Sequence, residues 1–146
     1  MFLRALGKVW AAPTSLVGLG CGLLGWACGG NAPAFGNNAI EFTNSAVFRR
    51  FTSAVTLGHV ILYSAHAPSS QTRLHEKQHT VQAELLGVLY LPAHAFAQIA
   101  GFASSFFHSA GVYRDLNDRV HGPGNILETG PTRTPPQPWP WRWVRR

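Results

Sequence analysis

The run His75-Glu76-Lys77-Gln78-His79 is an HExxH pentapeptide, and its residue types and spacing point to metal chemistry. On a helix, side chains four apart stand on one face, so His75 and His79 can offer two imidazoles to one ion. Glu76 is turned from His75 by about a third of a helical turn. That sets it beside the ion, where a carboxylate can take a proton from water that the metal activates. Gln82 follows one turn later on the same face, and a β-branched, strand-like stretch from Val55 to Tyr63 precedes the motif. The alternative reading is a polar, solvated helix face with two ordinary histidines.

A catalytic zinc typically has three protein ligands and one position for water, so a third ligand must come from outside the pentapeptide. Glu128 is the expected donor. It sits in Asn125-Ile126-Leu127-Glu128-Thr129-Gly130-Pro131, a run of turn-forming residues that can hold a carboxylate in a fixed pose. Glu84 falls on the wrong side of the motif helix and reads as an interfacial charge. His94 and His108 lie in an apolar stretch and His59 on a strand, and each reads first as a packed, hydrogen-bonded histidine and second as a ligand. Asp115, Asp118 and His121 are weaker rivals in a polar stretch that reads as exposed.

The elements that must position these groups are written in an unusual composition. Charged residues make up 12% of the 146 residues, about half the share of a soluble globular protein. None occurs between Lys8 and Glu41 or between Glu84 and Arg114. Each gap is long enough for a segment that crosses or dips into a membrane, a full span needing about 20 residues. The net charge of +6 does not mark a nucleic-acid binder. Its basic residues sit mainly at the chain ends and at Arg49-Arg50 without a nucleic-acid-binding pattern, and they suit anionic lipid headgroups.

Residues 1–30 have a basic start (Arg4, Lys8) and then a run rich in Leu, Gly, Ala and Trp. A secretory signal shares this layout. Trp26 before Ala27-Cys28 fits a lipoprotein cleavage box poorly, so a retained membrane segment is expected, its glycines permitting close helix packing or a re-entrant shape. On a helix Cys21 and Cys28 would stand about 10 Å apart, too far for a disulfide. The composition of 31–38 predicts a loop. Strands are expected at Ala39–Thr43 and Val55–Tyr63, with a short helix or strand at Ser45–Phe51 and a bulge or close approach at Gly58. Ser70 or Thr72 is expected to cap the motif helix, Pro92 to kink or break it, and an apolar helix to follow to about Phe107. The tail holds half of the chain's prolines with Trp139, Trp141 and Trp143. It is expected to lie along a membrane interface or in a groove on a partner.

The order of these features resembles a group of small bacterial membrane proteins with a zincin-like HExxHxxQ metallopeptidase signature. The matching residues are Trp10 and Pro13, Thr56-Leu57-Gly58-His59, the block from His75 to Gln82, Leu86-Gly87 with Tyr90-Leu91-Pro92, and Asn125 to Glu128. The resemblance spans most of the chain and is most specific in the central block. It implies a zinc-dependent, peptidase-like site beside the bacterial inner membrane, with Glu128 matching the downstream carboxylate.

The expected fold is α+β, a zincin-like motif helix with a small antiparallel sheet and with N-terminal and central apolar membrane-associated helices. One membrane-associated domain is expected over 1–130, with an apolar segment at 1–30, strands within 39–63 and the motif and apolar helices within 72–111. The tail occupies 131–146. The expected chemistry is peptide-bond hydrolysis with His75, His79 and Glu128 on zinc and Glu76 as base. Membrane lipids and a peptide or protein substrate are the expected partners. The alternative is a non-catalytic membrane subunit of a larger complex, with partner subunits in place of a substrate, that keeps the motif as a structural metal site or without metal.

Overall fold

Two asparagines start the sheet. Asn37 and Asn38 take φ of 48° and 64°, the left-handed backbone that a two-residue type I′ hairpin needs and that asparagine tolerates. They join β1 (Ala34–Gly36) to β2 (Ala39–Phe42) in antiparallel register, Gly36 facing Ala39. The stretch expected to be loop therefore contains an edge strand. The stretch read as one strand from Val55 is a second hairpin, β3 (Ala54–Leu57) and β4 (Val60–Tyr63), folded through Gly58 and His59. Gly58 has φ +66°, and a Cβ there would fall 2.3 Å from Ser15 Oγ, so conformation and space both require glycine.

The computed structural model describes residues 2–107, 116–121 and 124–129. His108, Asp115, the side chain of Asp118 and the tail at 131–146 lie outside the described residues. The chain forms two compact units, Met1–Tyr90 and Leu91–Arg146.

In the first unit the strand order is β1-β2-β4-β3, with β4 parallel to β2. The sheet is mixed, which corrects the expected antiparallel arrangement. After β2 the chain crosses through 43–53 to the far edge, and the tight turn then returns β4 beside β2 in the same direction. The crossing itself, Ser45–Phe51 included, is turn and bend rather than helix or strand. Every residue of β4 is buried, as befits a central, wholly apolar strand covered on both faces.

On one face, Phe42, Val60 and Leu62 pack with Leu19 and Cys21 of α2 (Ala12–Ala27), which follows α1 (Phe2–Trp10). The buried side of α2 is Thr14, Gly18, Gly22 and Gly25. A Cβ on Gly22 would stand 2.2 Å from the Phe42 ring, and one on Gly18 would stand 2.8 Å from Leu57 Cβ. The helix backbone thus rests directly on the sheet, which is the close packing expected from the glycines. Cys21 and Cys28 are free thiols. The other face buries Ala39, Ala54, Ile61 and Tyr63.

The motif helix, α3, runs Ser70–Leu86. Its cap is Ser69 rather than Ser70 or Thr72, the Ser69 hydroxyl accepting the Thr72 N–H at 3.0 Å. α3 stops at Gly87, whose φ is +56° and whose Cβ would overlap the Trp10 indole. A 3-10 turn (Gly87–Leu89) leads into α4 (Tyr90–Ser105). Pro92 sits in the first turn of α4, where its missing N–H costs nothing, so the interruption belongs to Gly87 and not to the proline.

In the second unit, α4 is met by α5 (Leu116–Val120) and α6 (Ile126–Thr129). Contact runs through small residues, a Cβ on Gly101 falling 2.6 Å from the Val120 carbonyl oxygen and one on Gly124 falling 1.8 Å from Ser104 Oγ. Arg119 donates to Ser105 Oγ at 3.1 Å. Taken through the 3-10 turn, Ser70–Ser105 is a helical run of 36 residues that is long and apolar enough to cross a membrane by length and composition.

Candidate metal centre

α3 is a polar helix that is nonetheless buried along Glu76 and from Gln78 to Ala83. A buried polar face must find partners, and the two motif histidines find each other. His75 Nε2 and His79 Nε2 stand 3.1 Å apart with the rings edge to face. The Nδ1 of His79 lies 2.8 Å from Gln82 Oε1. An amide oxygen only accepts, so Nδ1 carries the proton and Nε2 keeps the lone pair that faces His75. The Gln82 that shares the motif face in sequence therefore orients one of the two imidazoles.

Glu76 is buried, with its Oε2 accepting a 2.6 Å hydrogen bond from Thr56 Oγ1 of β3. Thr56 in turn accepts the Tyr90 hydroxyl on its carbonyl at 3.0 Å. The hairpin register makes Ser53–Ser64, Val55–Leu62 and Leu57–Val60 the hydrogen-bonded pairs, so Ala54 and Thr56 turn their backbone groups to the outer edge. Both outward carbonyls are capped, Ala54 by Thr52 Oγ1 at 2.8 Å and Thr56 by Tyr90. In the sequence Thr56 and Tyr90 stand out only through the family resemblance. The signal that would single out Thr56 is a hydroxyl at an inward position of an otherwise apolar strand.

Glu128 lies in the second unit, buried in α6 and preceded by the fully buried Asn125. Asn125 Oδ1 accepts the Leu127 N–H at 3.1 Å, its Nδ2 donates to the Val120 carbonyl at 2.7 Å, and its own carbonyl accepts the Glu128 N–H at 3.1 Å. The turn expected to pose the carboxylate is thus pinned at three points. His94 Nδ1 and His121 Nε2 each lie 3.8 Å from Glu128 Oε1.

One ligand atom each from His75, His79 and Glu128 lie within 4.8 Å of one another, a group that can hold a metal ion. Among the described residues it is the one such group. Glu76 is not a member. Neither are His59, Glu84, His94 and His121.

His59 and Glu84 have a different role. Asn38 Nδ2 donates to Glu84 Oε1 at 2.8 Å, His59 Nδ1 is 2.8 Å from the Asn38 carbonyl, and His59 Nε2 is 3.8 Å from Glu84 Oε1. This ties both hairpin turns to α3, so Glu84 is an internal fastener and not the interfacial charge expected of it. Another buried carboxylate, Glu41, accepts from Arg73, from the Tyr63 hydroxyl at 3.1 Å and from Asn37 at 2.8 Å. Burial, and then the Glu41 charge, push the Tyr63 phenol well above its ordinary value. Comparison of the chain with family models, with curated proteins and with solved structures returns no match.

Proposed function

We propose that the chain is a membrane-associated, zinc-dependent metallopeptidase-like protein that hydrolyses peptide bonds with activated water. The convergence of His75, His79 and Glu128 within 4.8 Å carries the reading. The donors fit the ion. Two imidazoles and a carboxylate form a known catalytic zinc set. The 3.1 Å between the two Nε2 atoms is close to the roughly 3.3 Å expected for two nitrogens about 2.0–2.1 Å from one tetrahedral ion.

Bound there, zinc supplies Lewis acidity and lowers the pKa of water to about 7. In this scheme Glu76 takes the proton from the attacking water and delivers it to the leaving amine. Thr56 orients the Glu76 carboxylate through Oε2, and Gln82 orients His79. A peptide lying along β3 by edge pairing meets the Ala54 and Thr56 carbonyls already bonded to hydroxyls. It must share or displace those bonds. Membrane association is supported by the apolar helical run Ser70–Ser105, and a bacterial inner membrane is the location that the resemblance implies.

One observation favours a second reading, a non-catalytic membrane subunit with a structural metal. His94 and His121 each stand 3.8 Å from Glu128 Oε1, close enough for small side-chain movement to bring in a fourth protein ligand, and structural zinc sites are closed by four. Metal analysis and X-ray absorption of the purified protein, beside a Glu76→Gln variant assayed on a mixed peptide pool, separate the two. Cleavage by wild type alone, with water in the coordination shell, supports the peptidase. Four protein donors and no cleavage by either protein support the structural role.

A further inference from the structure

α2 is built inside out. Its inward face is Thr14, Gly18, Gly22 and Gly25, while Leu16 (68% exposed), Val17 (52%), Leu23 and Leu24 (58%) point away from the sheet. In a water-soluble domain the large apolar side chains of a surface helix turn inward and the outer face is polar. Here the outward positions, recurring every three or four residues, carry no polar side chain. Water gains nothing from such a face, and monomeric soluble proteins rarely expose one.

Three further features say what covers it. Trp10, the last residue of α1, and Trp26, in the last turn of α2, are each 48% exposed, and the 16 residues of α2 span about 24 Å at 1.5 Å per residue. Indoles favour the headgroup level of a bilayer whose hydrocarbon is about 30 Å thick. Lys8 is exposed just outside Trp10, and residues 1–40 hold Arg4 and Lys8 without an acidic residue, which complements an anionic headgroup layer. A protein partner would instead call for hydrogen-bonding groups, about one bond per 100–200 Å² of interface.

We infer that the outward face of α2, between Trp10 and Trp26, contacts the hydrocarbon of an anionic bilayer directly, so that the first unit presents its own lipid-facing wall. The inference does not rest on the metal centre. The glycine stripe lets the helix hug the sheet, and of its large aliphatic side chains only Leu19 packs on the core, leaving Leu16, Val17, Leu23 and Leu24 available to lipid.

The test places a nitroxide on single cysteines, Leu16→Cys and Leu24→Cys, in a full-length Cys21→Ser, Cys28→Ser background reconstituted in phosphatidylcholine–phosphatidylglycerol vesicles. Val17→Cys and Leu23→Cys serve where circular dichroism shows that a labelled variant has lost its helix. The expected result is collision with oxygen several-fold more frequent than with a water-soluble nickel chelate at the outward sites. Frequent nickel collision would mean water at this face and overturn the inference. Low collision with both would mean a protein cover, a second copy or a partner, and overturn it equally.

Discussion

Thr56 Oγ1 donates a 2.6 Å hydrogen bond to Glu76 Oε2, linking an edge strand to the carboxylate of the HExxH motif. Both residues are buried, so the bond takes the place of water that the carboxylate would otherwise keep. Replacing Thr56 by Val removes the donor at nearly constant volume and leaves a buried carboxylate oxygen unmatched. The expected loss of stability is about 1–3 kcal/mol, with Thr56→Ser close to wild type. Denaturant unfolding of both variants checks this, and equal stability of Thr56→Val would show that the bond contributes nothing.

Metal binding should follow the ligand geometry. His75→Ala and His79→Ala are each expected to abolish stoichiometric zinc, because one lost donor of three leaves the ion to water. Gln82→Ala should weaken affinity about 10–100-fold, the usual cost of removing the group that orients a histidine ligand. Chelator competition measures both effects. Full zinc retention by the double histidine variant would remove the centre altogether.

Glu76→Gln is expected to keep the metal and to lose turnover by several orders of magnitude, since the amide still accepts from Thr56 but takes no proton. Metal content and single-turnover cleavage are read on the same preparation. Unchanged cleavage of a genuine substrate by the variant would exclude Glu76 as the base.

Gly22 lies against the Phe42 ring, with no room for a Cβ at 2.2 Å. Gly22→Val should cost at least the 1–3 kcal/mol typical of overpacking, because the ring is held in the sheet and cannot swing away. Gly20 has nothing within 4 Å of its Cβ position, so Gly20→Ala should be tolerated. Thermal unfolding of the pair in one detergent gives the comparison.

Tyr63 gives the stability a defined pH dependence. Its phenol is raised in the folded chain, by burial first and by Glu41 second. As pH climbs past about 10, the ordinary phenol value, the unfolded chain releases this proton while the folded chain retains it. Stability contributed by the neutral phenol is therefore full below that pH and falls above it. Tyr63→Phe should flatten the alkaline limb of a stability–pH curve, and an unchanged limb would assign it to other groups.

The chemistry-bearing residues and the main helices were legible along the chain, whereas the edge strand at Ala34–Gly36 and the turn that divides Ala54–Leu57 from Val60–Tyr63 were not. Spacing by helical turns puts His75, His79 and Gln82 on one face. The run Asn125 to Thr129 has the composition of a turn that can pin a carboxylate, and two long charge-free stretches announce apolar helices. These are short-range properties, set by backbone geometry and side-chain type within a few residues. What the chain alone left undecided depends on partners distant in sequence. The parallel pairing of β4 with β2 arises from a hairpin folding back into the sheet, which no local pattern encodes. Gly87 rather than Pro92 interrupts the long helix because the Trp10 indole occupies the space beside it. Thr56 holds Glu76 across 20 positions, and Glu84 meets Asn38 across 46. Hydrogen bonds and close contacts of that range exist only once the sheet and helices have packed, so the tertiary structure alone decided which polar residues are fasteners, while the ligands expected from the sequence, His75, His79 and Glu128, form a group that can hold a metal ion.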